Sequence, residues 1–137
     1  MNKRTLPILL AVFALMAASL ACAFGGKLGL SNARTAFDED AAQPTSIFGP
    51  NDAIYVVADL SNAPVGTVVN SKWYYVSVEG MDPNTLIDEA NLSIDQDNFS
   101  GTVHFFFPAG SDWPLGTYAV ELYLNGELIQ TVNFSVQ

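Results

Sequence analysis

Basic residues are scarce in this chain. Five Lys and Arg stand against 14 Asp and Glu, a formal net charge of −9 at pH 7. Nucleic acid is thereby excluded as a partner, because its phosphates need Lys and Arg. The chain has one cysteine, Cys22, which excludes an intrachain disulfide. It has one histidine, His104. Transition-metal sites take His and Cys at fixed close spacing, and these two residues lie far apart in the sequence. No glycine-rich phosphate loop with its lysine occurs. After residue 26 the chain is too polar to cross a membrane repeatedly. Its 137 residues leave room for one domain.

The hydrophobic residues, 50% of the chain, are concentrated first at the start. Lys3 and Arg4 precede an apolar run from Leu6 to Ala18, and small residues follow, Ala17-Ala18-Ser19-Leu20-Ala21-Cys22. A charged start, a short apolar middle and a small-residue end describe a secretory signal peptide over residues 1–21. Ending on Ala21-Cys22, it resembles the signal of a bacterial lipoprotein, in which cleavage leaves a cysteine that carries lipid. That resemblance makes Cys22 an attachment point. Its acyl chains would hold the protein to a membrane by about 0.8 kcal/mol per buried CH₂. Ordinary cleavage after Ala21 or Ala23, giving a secreted product, is the other reading. Removing Lys3 and Arg4 with the leader takes the net charge from −9 to −11. Residues 22–46 read as a tether with a possible first edge strand in Lys27–Phe37 and an acidic loop before Pro44.

From residue 47 to 137 the sequence is a series of short β-branched and aromatic runs separated by turn residues. Ala53–Leu60 places Ile54, Val56, Ala58 and Leu60 on one face and Tyr55, Val57 and Asp59 on the other. Thr67–Val78 does the same with Val69, Ser71, Trp73 and Tyr75 against Asn70, Lys72, Tyr74 and Val76. Thr85–Asp95 reads as an irregular strand and Thr102–Phe107 as a regular one, with a turn over Asp97–Gly101. Tyr118, Val120, Leu122 and Leu124 alternate inward. Asn125-Gly126 then predicts a two-residue hairpin turn into a last strand, Glu127–Val136. The expected fold is a single all-β, antiparallel β-sandwich of about seven strands, with a small closed barrel as the alternative.

Trp73 lies mid-strand, and Gly116-Thr117-Tyr118 opens the penultimate strand. In these two features the stretch Ala53–Gln137 resembles an immunoglobulin-like domain. The resemblance implies that Trp73 is the central core tryptophan. It also implies that the Tyr118 hydroxyl bonds back to the chain as a tyrosine corner. Val120 stands where an antibody domain has cysteine, so the implied sandwich is held by burial alone. In bacterial envelopes such domains commonly serve as adhesive, spacer or binding modules.

No set of residues points to catalysis. His104 alternates with Val103 and Phe105 and is read as a surface histidine, which leaves no nucleophile–base–acid set. Asp95 and Asp97 are the candidate calcium ligands, two apart in a turn; a solvated acidic turn is the plainer reading. The Asn-x-Ser sequences at Asn91, Asn98 and Asn133 read as chance. Outward aromatic and aliphatic residues offer a binding face: Tyr74, Val76, Tyr123 and Ile129 on one sheet. Tyr55, Val57 and Phe106 form a possible second patch. Trp113-Pro114 reads as a plug at the end of the sandwich, or as a platform for a sugar. The expected protein is non-enzymatic and needs no cofactor. It is exported to a bacterial cell envelope, lipid-anchored or secreted, and binds an envelope or extracellular protein. A carbohydrate- or calcium-dependent binding module is the alternative.

Overall fold

Alternating apolar and polar residues, interrupted by Asn, Gly and Pro, produce eight strands among the described residues 26–137 of the computed structural model. They are β1 (Gly29–Ala36), β2 (Ile47–Phe48), β3 (Ile54–Ala63), β4 (Val68–Val78), β5 (Leu86–Ser93), β6 (Phe99–Phe107), β7 (Gly116–Leu124) and β8 (Glu127–Val136). The chain is all-β and forms two sheets, one ordered β1-β3-β6 and one ordered β2-β8-β7-β4-β5. The expected signal peptide, Cys22 and the tether up to residue 25 lie outside the described residues. No helix among those described is long and apolar enough to cross a membrane.

The inward faces of the two sheets make the core. Ile54, Val56, Ala58 and Leu60 of β3 meet Val69 and Trp73 of β4 and Tyr118, Val120 and Leu122 of β7, all nearly or fully buried. Full burial of an aliphatic side chain of this size contributes about 1.5–3 kcal/mol. Aromatic rings close one end. Trp113 is 6% exposed. It packs edge-on against Phe107 at 4.9 Å and Tyr118 at 4.8 Å. Its burial makes it the plug and removes it as a platform for a sugar.

Several local expectations change. β2 has no counterpart in the sequence reading, and it runs parallel to β8, so the sandwich is not purely antiparallel. Two residues carry no periodicity to read. β3 continues past the expected end at Leu60 through Ser61–Ala63, by means of a bulge at which Asn62 takes φ 53°. β6 begins at Phe99, not Thr102, because Phe99 pairs with Ala63 and Gly101 with Leu60. The turn residues Ser100 and Gly101 are drawn into the strand by this pairing. Val57, expected on an outer patch, is fully buried. It sits on the central strand of its sheet, flanked in register by the long side chains of Arg34 and His104.

Candidate binding face

The outer face of the five-stranded sheet is built by register. Tyr74 of β4 lies opposite Ala119 of β7, and Ala119 lies opposite Asn133 of β8. One row along, Lys72 pairs with Glu121 and Glu121 with Thr131. Ala119, the smallest side chain of this set, stands on a middle strand between larger ones. The result is a groove of about 490 Å³ lined by Tyr74, Val76, Asn84, Ala119, Glu121, Thr131 and Asn133. Val76 shares the face of Tyr74 by alternation; beyond it a bulge, in which Tyr75 pairs with Tyr118 and Ser77 with Thr117, leaves Ser77 outward too and turns Val78 into the core. Bulges re-aim side chains in this way.

Glu121 joins the two expected tyrosines. The Tyr123 hydroxyl donates to Glu121 Oε1 at 2.9 Å. That bond is the main cause that lifts the Tyr123 hydroxyl above the ordinary tyrosine value. Burial pushes the Tyr74 hydroxyl up to about 12, with the hydrogen bond to Glu121 and its negative charge adding to the effect. Both phenols therefore remain neutral donors at physiological pH. Lys72 Nζ lies 4.8 Å from the centre of the Tyr123 ring, within the range of a cation–π contact.

Of the expected face, the structure brings Tyr74 and Val76 into one groove and links Tyr123 to it through Glu121. Ile129 stands apart. It is the extra residue of a bulge in β8, between the Leu122–Gln130 and Tyr123–Leu128 pairs, and does not line the groove. Asn84 and Thr131 were not singled out in the sequence, and Asn133 only within an Asn-x-Ser sequence read as chance. Alternation in β8 against buried Phe134 already places Thr131 and Asn133 outward, but nothing local says which β7 residues they oppose.

The opposite sheet carries a second, smaller cluster. Tyr55 and Phe106 stack at 5.0 Å and 12°, and Phe106 is 51% exposed. His104 lies beside both rings, with Nε2 4.0 Å from Glu39 Oε2. Asp95 and Asp97 are both exposed. Among the described residues, no three His, Cys, Asp or Glu side chains converge as a metal site.

No family model matches the chain, and no curated protein matches it. Solved structures do resemble it in shape. A Pseudomonas fluorescens alkylpurine DNA glycosylase bound to DNA containing an abasic-site analogue aligns over 83% of this chain and 31% of its own, at 14% identity and a TM-score of 0.55. A mutant Listeria innocua β-glucosidase in complex with laminaribiose aligns over 81% of this chain and 16% of its own, at 12% identity and a TM-score of 0.51. The chain thus spans under a third of either protein's length. At such identities the likeness is one of fold alone.

Proposed function

We propose that this protein is a non-enzymatic binding domain of a bacterial cell envelope: an immunoglobulin-like sandwich, lipid-anchored through Cys22, that engages an envelope or extracellular protein. The core placement of Trp73 and the bond from the Tyr118 hydroxyl to the Pro114 carbonyl at 2.5 Å support the immunoglobulin-like reading. The residues 1–22 support export and anchoring. The observation that carries the binding role is the groove over Ala119. A neutral tyrosine, a carboxylate tied to Tyr123 and two amides surround an apolar floor there, a mixture suited to a partner's side chains.

The test is cross-linked capture from the native envelope with three variants. Ala119→Arg fills the groove, and the double change Tyr74→Ser, Tyr123→Ser strips its aromatic donors. Both should lose the partner captured by the parent while keeping its circular dichroism; retained capture would remove this face from consideration. Cys22→Ala should lose the acyl mass and move from membrane to soluble fractions, and an unchanged distribution would dispose of the anchor.

A further inference from the structure

Sheet edges expose unpaired backbone groups, and proteins normally guard them with charge, proline, bulges or cover. Among the described residues there are four edges: β1, β6, β2 and β5. Three are guarded. β1 is bulged at Asn32–Ala33 and carries Arg34. Its backbone is further covered where Ala33 N–H donates to Gln130 Oε1 at 2.6 Å and Thr45 N–H donates to the Thr35 carbonyl at 3.0 Å. β2 has only two residues and lies between Pro44 and Pro50. β5 carries Asp88 and Glu89.

The nine residues of β6, Phe99–Phe107, include no Asp, Glu, Lys, Arg or Pro, and the one irregularity in its pairing is the bulge of the neighbouring β3 opposite Ser100. Among the described residues its outer edge pairs with no strand. Beside that edge, where the two sheets part, lies a cleft of about 220 Å³. Trp73, Phe105 and Phe107 line it from within, and Asp88 and Glu89 of β5 line it from the opposite sheet.

The geometry points to β6 as a docking edge for an extended segment of a partner protein that alternates apolar and basic side chains. Such a segment would add a fourth strand to the β1-β3-β6 sheet through backbone hydrogen bonds. Side chains on one of its faces would enter the cleft against Phe105 and Phe107, as in strand addition generally. Lys or Arg side chains leaning toward β5 would meet Asp88 and Glu89. Charge selects this occupant over a second copy of the chain. The one basic side chain of β6, His104, borders the cleft but has its Nε2 4.0 Å from Glu39 Oε2, and a second copy would bring its own Asp88 and Glu89 to the contact. The site is separate from the groove over Ala119 and does not depend on it.

The probes are a nine-residue peptide of alternating valine and lysine and its valine–glutamate counterpart, added to the purified full-length protein. The lysine peptide should bind below about 1 mM and slow hydrogen exchange at amides within Phe99–Phe107; the glutamate peptide should do neither. Asp88→Asn with Glu89→Gln should weaken the lysine peptide about tenfold at unchanged melting temperature, and salt should weaken it likewise. The proposal is overturned by any of three results: no binding at about 1 mM, protection confined to other strands, or β6 protection that rises with protein concentration in the absence of peptide. The last would identify a second copy as the occupant.

Discussion

Tyr118 stacks on Phe134 at 5.3 Å and 9°, meets Trp113 edge-on, and donates its hydroxyl to Pro114. The bond ties the β6–β7 connection to the strand that follows it. Tyr118→Phe keeps the ring and loses the bond, and should lower stability by about 1 kcal/mol in urea titration. Burial also pushes the Tyr118 hydroxyl from 10 to about 12. The unfolded chain ionises first, so this residue's contribution is whole below pH 10 and is lost as pH rises toward 12. Tyr118→Phe should accordingly move the onset of alkaline unfolding upward, read by fluorescence. Both Tyr118 and Trp73 were legible in the sequence, because each is a large aromatic at an inward position of a regular alternation. Val57 was not. Alternation assigned it correctly to the outer face, but its burial depends on what stands on β1 and β6 beside it.

The β7–β8 hairpin shows how far local sequence reaches. Asn125 and Gly126 take φ values of 49° and 85°, as a two-residue turn of this kind requires. The turn also has a tertiary duty that no dipeptide reveals. Asn125 N–H donates to the Val68 carbonyl at 2.8 Å, and its Oδ1 accepts from Val68 N–H at 3.0 Å. Asn125→Ala retains the first bond, loses the second and places an ordinary side chain in the left-handed region. A loss of about 2 kcal/mol is expected, measured by urea unfolding. β2 and the start of β6 lay beyond sequence reading for the same reason as the Val68 bonds: a partner distant in the chain decides them. The candidate face divides along this line. Tyr74, Val76 and Tyr123 followed from alternation, whereas the groove between them exists because register sets Ala119 opposite Tyr74.

For the molecule as a whole, acidity is the dominant charge feature. With 14 acids against 5 basic residues, folding gathers like charge onto a small surface. Raising salt from about 0.01 to about 0.5 M shortens the screening length several-fold. The melting temperature should rise with it in calorimetry; a fall would show that pairs such as Arg34–Asp59, at 3.1 Å, outweigh the repulsion. The same acidity makes the β6 edge conspicuous, since its nine residues include no carboxylate.

The parallel contact between β2 and β8 has a mechanical consequence. Ser135 N–H donates to the Ser46 carbonyl at 2.8 Å and Gln137 N–H to the Phe48 carbonyl at 2.9 Å, so the last strand is clipped to a segment that enters the domain from its other terminus. Tension applied between Gly26 and Gln137 draws two parallel strands past one another along their length. It loads these bonds together in shear instead of peeling them singly. A protein held at one end and gripped by a partner would meet the pull with the β1–β3 ladder, which lies nearer Gly26, and then with this clip, whose yield force would set how hard the domain can be tugged before its second sheet opens.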